Sequence, residues 1–353
     1  MIIKKIILQN FRNYTKQEII LSNNENIFYG NNAQGKTNIL EAIFLCSFAK
    51  SFRTKKEDEL IQFQKEKAFV EIQYEKSDRE GKISLEITDK KTFFINGVKV
   101  KKLSELLGKV NVVMFSPDNI EIIKEGPAKR RKFLDMLISQ LKPSYIYNIN
   151  LYTKALEQRN IYLRQIKYEN KPVEMLEIWN EKLAELGEKI FIERKQTVEK
   201  LRNKLQEIHP EVTEEKEKIK IEYKSSCENK DEYLRELEKI EKIDIQRGYT
   251  NLGIHRDDFE ISINERPVQV YGSQGQQRTS ILSLKLAEVE VIYEEIGEYP
   301  ILLLDDFMSE LDEKRRMKFV STIKKNQVLI TCTDKINIEN GKSFYVEEGN
   351  VRQ

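Results

Sequence analysis

The run Gly30-Asn31-Asn32-Ala33-Gln34-Gly35-Lys36-Thr37 limits what this 353-residue chain can fold into more than any other stretch. Its form, a glycine, four residues and Gly-Lys-Thr, works only between a β-strand and an α-helix. Both neighbours are legible. Asn26-Ile27-Phe28-Tyr29 closes an Ile-rich, strand-like region that starts at Ile2 and breaks at Asn10–Asn13, while residues 36–49 put Ile39, Leu40, Ile43, Phe44 and Phe48 on one helical face. In that setting the glycines let backbone N–H groups curl around phosphate oxygens, and the helix turns its positive end toward them. Lys36 neutralises the outer phosphates and the Thr37 hydroxyl can ligate magnesium. Gly30, Asn31, Asn32, Ala33, Gln34, Gly35, Lys36 and Thr37 are therefore expected to hold ATP with Mg2+.

A magnesium ion so placed needs a carboxylate at the end of a neighbouring buried strand, and Ile301-Leu302-Leu303-Leu304-Asp305-Asp306 supplies one. Asp305 is the expected metal residue beside Thr37. Asp306, one position on, is placed to orient or deprotonate the attacking water, with Lys36 as the other catalytic residue. Its alternative is to cap the helix that follows. Aspartate is one methylene shorter than glutamate, so a base here reaches its water poorly and slow hydrolysis is expected.

A third element, Tyr271-Gly272-Ser273-Gln274-Gly275-Gln276-Gln277-Arg278, stands ahead of a helical pattern over 276–295. Small residues at a helix N-terminus make a second anion site. One phosphate loop and one further anion site per chain suit a two-fold pair, in which each chain's helix end completes its partner's ATP site. ATP then drives formation of a homodimer.

Strand alternation over 69–74, 82–88 and 92–100, with a hairpin signal at Asn96-Gly97, surrounds the first helix, and a short strand follows at 110–115. Long helical patterns then run from about Pro127 to Ile243, with breaks expected near Pro143, Pro172 and Pro210. Glu214–Lys220 and Glu232–Lys242 read as solvated helix faces. Strand texture returns at 258–263 and 268–271, then a helix, a buried strand at 301–304, a helix over 312–325 and a strand over 327–331. The expected organisation is a split ATPase domain, residues 1–116 and 246–353, with a helical insertion over 117–245.

Composition limits the function. No apolar run approaches the roughly 18 residues that cross a bilayer, so no membrane partner is expected. Three scattered cysteines and two histidines give neither a disulfide framework nor a zinc site, in keeping with a reducing cytoplasm. Net charge is only +2, yet residues 121–171 hold 11 Lys or Arg against 5 acids, interleaved with Tyr145, Tyr147, Tyr152, Tyr162 and Tyr168. That pattern suits DNA phosphates and base stacking, with Lys129, Arg130, Arg131 and Lys132 as candidates. It also suits a basic helical face paired with acids elsewhere, its tyrosines in the core.

Ser273-Gln274-Gly275-Gln276-Gln277 resembles an ABC signature motif, and Ser309-Glu310-Leu311-Asp312 resembles the matching D-loop. Leu8-Gln9-Asn10-Phe11-Arg12-Asn13-Tyr14, Lys50-Ser51-Phe52-Arg53, Phe115-Ser116-Pro117-Asp118, the stretch from Pro127 to Asp135 and Gly253-Ile254-His255-Arg256-Asp257-Asp258 narrow the resemblance to the RecF family of bacterial recombination mediators, ABC-type ATPases related to SMC heads. The resemblance implies an α/β P-loop ABC-ATPase head of the SMC-like kind, with mixed β-sheet layers and an inserted α-helical lobe. It implies that Ser273, Gln274, Gly275 and Gln276 serve the partner chain's ATP and that Ser309 and Asp312 form the D-loop. It further implies an ATP-dependent dimer on single-stranded, gapped or junction DNA, working with RecO and RecR to load RecA in repair, replication restart and SOS induction. Two departures stand out: Ile254 replaces the family's usual proline, and Ile330-Thr331-Cys332-Thr333-Asp334 lacks the switch histidine of transporter-type ABC proteins. A transporter subunit would share the ATP motifs, but about 240 residues separate Gly30 from Ser273, far more than such subunits use. An SMC-like tether would need a much longer insertion.

Overall fold

The computed structural model describes residues 1–213, 217–310, 316, 319, 320, 322, 323, 325–335 and 340–353. In chain order the first strands are β1 (Ile2–Phe11), β2 (Tyr14–Ile20), β3 (Glu25–Tyr29), β4 (Ala68–Lys76), β5 (Arg79–Ile87), β6 (Lys91–Ile95), β7 (Val98–Lys99) and β8 (Val112–Phe115). They are followed by β9 (Ile219–Lys224), β10 (Asp258–Ile263), β11 (Arg266–Pro267), β12 (Ile301–Asp305), β13 (Val328–Cys332), β14 (Gly341–Glu347) and β15 (Asn350–Arg352). Backbone contacts gather the chain into two compact units, Met1–Asn119 with Glu288–Gln353, and Ile120–Ala287.

The first unit holds two six-stranded sheets. One, in the order β2-β1-β4-β5-β6-β7, is antiparallel throughout. The other, β15-β14-β3-β13-β12-β8, is parallel except for its β15 edge. Asn96 and Gly97 take φ of 50° and 82°, the doubly positive turn that the β6–β7 hairpin needs. The Lys36–Phe48 helix touches β4 and β5 of one sheet and β12 and β13 of the other. It is therefore buried nearly all round, more than the single apolar face expected of it, and its polar Glu41 and Ser47 are enclosed with the rest. Each Leu, Ile or Phe it buries contributes roughly 1.5–3 kcal/mol.

The second unit is built on the helices Pro127–Leu141, Pro143–Glu169 and Leu176–Thr213. Pro127 and Pro143 each stand at a first helical position, where the missing N–H costs nothing. Pro210 does not break its helix as expected; it lies inside the last turn, where few further bonds remain to lose. Nor is the unit wholly helical. Ile219, Ile221 and Tyr223 alternate with Lys220, Glu222 and Lys224, and β9 pairs with β10 in a three-stranded sheet completed by β11. This pairing carries residues 246–287, assigned from texture to the ATPase domain, into the second unit. Val268–Tyr271 was expected as a strand but forms one helical turn, closed by Gly272 N donating to Val268 O at 3.1 Å; four residues of alternation fit either period. The helix expected over 312–325 falls mostly outside the described residues. No described helix is long and apolar enough to cross a membrane.

Candidate nucleotide site

The segment expected to be the phosphate loop leaves β3 at Gly30 and enters the helix at Lys36. Gly30, Ala33 and Gly35 take φ of 141°, 64° and 113°. Glycine is required twice: a Cβ at Gly30 would meet Val346 O at 2.5 Å, and one at Gly35 would meet Asn13 Nδ2 at 2.5 Å. Lys36 is buried, its ammonium donating to Gly30 O at 2.5 Å and Asn31 O at 2.9 Å. An ammonium has three donors, so this embrace leaves one for a phosphate.

Strand order sets the chemistry beside the loop. β13 lies between β3 and β12, so the tip of β12 brings Asp305 level with Thr37. Thr37 Oγ1 donates to Asp305 Oδ1 at 2.8 Å, and Thr331 Oγ1 on β13 donates to the same oxygen at 2.8 Å. Burial raises the Asp305 pKa above its ordinary value; the two threonine hydrogen bonds oppose that shift and the charge of Asp306 adds to it. A hydroxyl and one carboxylate suit Mg2+, a hard ion that takes its remaining ligands from phosphates and water. Asp306 takes φ of 48°, turning the chain out of the strand, with its N–H donating to Thr331 Oγ1 at 3.0 Å. Thr331 thus fixes both acids. Sequence reasoning passed over it while looking for a histidine in the same segment.

Behind the loop is a second layer that the spacing of motifs did not reveal. Asn13 Nδ2 donates to Gln34 O at 2.7 Å, Asn38 Nδ2 to Asn13 Oδ1 at 2.8 Å, and Tyr14 OH to Gly35 O at 3.0 Å. Arg12 forks onto the wholly buried Glu41 of the helix at 2.8 and 2.7 Å, and Ser51 donates to the same carboxylate. Arg53 Nη1 reaches Asn38 Oδ1 at 2.7 Å. The Phe11–Tyr14 turn and the Lys50–Arg53 segment therefore brace the phosphate loop.

In the second unit, Ser273 and Gln276 form a capping box at the Gln274–Ile296 helix: Gln276 N donates to Ser273 Oγ at 3.2 Å and Ser273 N to Gln276 Oε1 at 2.9 Å. Ser273 and Gln274 are exposed and Gly275 is half-buried, so the turn is open to a ligand. Ser309 lies in a short 3-10 turn, Phe307–Glu310, and Asp312 falls outside the described residues.

The basic stretch divides into buried and exposed cations. Arg130 is buried, with Nε and Nη2 on Asp258 at 2.6 and 2.9 Å and Nη1 on Glu125 O at 2.8 Å, so its guanidinium is spent inside the unit. Arg131 donates to Asp257 O at 2.7 Å, Lys129 pairs with Glu121 and Glu125, and Lys132 is exposed. Tyr145 and Tyr152 are core residues, whereas Tyr147 and Tyr168 are exposed. Asp135 completes the interlock: Arg194 donates to it at 2.9 Å and to Ile254 O at 2.7 Å. The Pro127–Asp135 and Gly253–Asp258 stretches are thus two halves of one polar cluster.

The RecF/RecN/SMC N terminal domain profile matches residues 2–346. The DNA replication and repair protein RecF of Acetivibrio thermocellus is 44% identical over 360 residues, covering 98% of both chains, and that of Clostridium perfringens is 44% identical over 363 residues, covering 100% of both. Among solved structures, the recombination mediator protein RecF-ATPrS in the RecFOR pathway superposes with a TM-score of 0.94 at 40% identity, covering 99% of this chain and 97% of that one. The Smc head domain of Pyrococcus furiosus shares the fold, with a TM-score of 0.57 at 18% identity over 99% of this chain and 95% of its own. The chain, with its braced phosphate loop and paired aspartates, belongs to the RecF family.

Proposed function

We propose that the protein is an ATP-dependent DNA-binding recombination mediator that works as a switch. A solved relative is described as RecF-ATP in the RecFOR pathway, and the Thr37–Asp305 contact of 2.8 Å is the observation that supports ATP-Mg2+ binding here. Gly30–Thr37 hold the phosphates, Thr37 and Asp305 hold Mg2+, and Asp306 orients the attacking water. The Ser273–Gln276 turn of a second copy closes over the γ-phosphate, with Ser309 and Asp312 as its D-loop, so ATP joins two chains. A metal held by Thr37 and Asp305 would supply positive charge against the negative charge that develops on the phosphates. The dimer binds single-stranded, gapped or junction DNA and, with RecO and RecR, helps load RecA in the cytoplasm during repair, replication restart and SOS induction. Slow, DNA-stimulated hydrolysis to ADP and phosphate reopens it. Two shared sites suffice for such a switch, because ATP that binds the dimer better than the monomer shifts the equilibrium by that difference.

Solution mass without nucleotide, with ADP-Mg2+ and with ATP-Mg2+, each with and without a gapped duplex, tests the reading. A dimer that forms with ATP and is strengthened by DNA is expected. A mass indifferent to both ligands would falsify the switch.

A further inference from the structure

Gln276 has one acceptor end and one donor end, and its amide is held at both. Oε1 accepts from Ser273 N at 2.9 Å, while Nε2 donates to Glu217 Oε1 at 2.9 Å. Turning the amide over would set donor against donor at Ser273 and oxygen against oxygen at Glu217. Glu217 therefore decides which end of Gln276 faces the turn. Ser273 Oγ accepts from Gln276 N, and its hydroxyl keeps a hydrogen with which to donate elsewhere.

Glu217 is itself braced. Its other oxygen lies 3.4 Å from Nε2 of His209, a wholly buried imidazole on the Leu176–Thr213 helix. Among the described residues that nitrogen has no formed hydrogen bond, so the carboxylate is the group able to satisfy it. The opposite nitrogen, Nδ1, is 2.9 Å from Ser283 Oγ, on the same helix as Gln276 and seven residues further along, hence on the same face. His209 thus meets the Gln274–Ile296 helix directly at Ser283 and through Glu217 at Gln276. Burial lowers the His209 pKa, with Glu217 opposing, which agrees with a neutral ring donating from Nε2 and accepting at Nδ1.

We propose that Glu217 is a positioning residue for the Ser273–Gln276 turn: braced by His209, it fixes the Gln276 amide so that the Ser273 hydroxyl stands ready to donate to ATP held by a second copy. This rests on the reading of Ser273–Gln276 as the element that meets the partner's ATP.

The test exchanges the two side chains in the full-length protein and follows ATP-Mg2+-driven dimerisation by sedimentation, beside nucleotide affinity at monomer concentrations. Gln276→Glu sets two carboxylates against each other and is expected to weaken the dimer about tenfold, with single-chain nucleotide affinity unchanged. Adding Glu217→Gln restores a donor–acceptor pair in the reverse sense, and dimerisation is expected back within about twofold of the parent. Glu217→Gln alone keeps an oxygen for Gln276 but turns its amide nitrogen toward the His209 Nε2 hydrogen, so it is expected to weaken the dimer by a smaller factor than Gln276→Glu does. A merely structural role predicts that the two changes add rather than cancel; a double variant as weak as Gln276→Glu, or weaker, overturns the Glu217 assignment. Ser273→Ala dimerising like the parent overturns the reading of the turn itself, and Glu217's role with it.

Discussion

Thr37 Oγ1 donates to Asp305 Oδ1 across 2.8 Å, joining the first turn of the phosphate-loop helix to a strand tip 268 residues further along the chain. Asp305→Asn keeps an oxygen for both threonines but removes the charge that holds a cation. Mg2+ is expected to strengthen ATP binding at least about tenfold less in this variant than in the parent. The ligand-free melting temperature should not fall, since burial already penalises the charged form. Fluorescent-ATP titrations with and without Mg2+, beside a thermal melt, read both.

Asp306 sits at φ 48°, a conformation that asparagine tolerates and alanine resists. Asp306→Asn is expected to lower hydrolysis by about 100-fold or more while ATP-bound dimer accumulates. Asp306→Ala adds strain on the order of 1 kcal/mol and should melt earlier. Hydrolysis at the parent rate in Asp306→Asn would move the base elsewhere. Lys36→Arg should block hydrolysis too, because a planar fork cannot take the ammonium's place between two loop carbonyls.

Asn13 joins the Gln34 carbonyl to Asn38 without belonging to the phosphate loop. Each bond is worth about 1 kcal/mol net, so Asn13→Ala is expected to weaken ATP binding about tenfold. Equilibrium titration decides; unchanged affinity would mean that the loop holds its shape unaided.

Arg130→Ala and Lys132→Ala should separate fold from DNA. Removing Arg130 strands Asp258 and is expected to cost about 3 kcal/mol, seen as a lower denaturation midpoint. Removing the exposed Lys132 should cost at most about 1 kcal/mol, the range of a surface ion pair. Its effect is expected in DNA affinity, with a salt dependence shallower by about one phosphate contact. Equal DNA affinity in Lys132→Ala would remove that residue from the interface.

Burial lowers the His255 pKa to about 4, although the Thr250 carbonyl at 3.2 Å opposes the shift. A histidine with a depressed folded-state pKa gives stability that is present above its unfolded value and lost as pH falls through the folded one. Between about pH 6.5 and 4 the parent should therefore lose on the order of 2–3 kcal/mol more than His255→Gln. Urea midpoints measured across that range test the difference; parallel curves would exclude His255 as the source.

The strand-to-helix setting of Gly30–Thr37 and the strand-end place of Asp305 were legible because each demands fixed residue types at a fixed place relative to a strand end, and that demand survives in one dimension. The brace around Glu41 did not show, since Arg12, Ser51 and Arg53 gather only when a turn and a later loop meet one helix. Arg130 stood open between DNA and an acid elsewhere in the chain, because composition reports charge but not burial; its partner Asp258 lies 128 residues away. The β9 strand was masked by its outward-facing Lys220, Glu222 and Lys224, which resemble a solvated helix unless Ile219, Ile221 and Tyr223 are read at a period of two. Thr331 carried no signal, as threonine is ordinary in a strand.

The pairing of β3 with β13 and β14 has a consequence for biosynthesis. About 300 residues are translated after Tyr29 before Cys332, its partner in the sheet, is added. At roughly 5–20 residues per second the ribosome spends on the order of 15–60 s on that interval. For nearly all of it the nascent chain carries every letter of Gly30–Thr37 without β13 and β14, the strands that flank β3, so prematurely terminated products are expected to be blind to ATP.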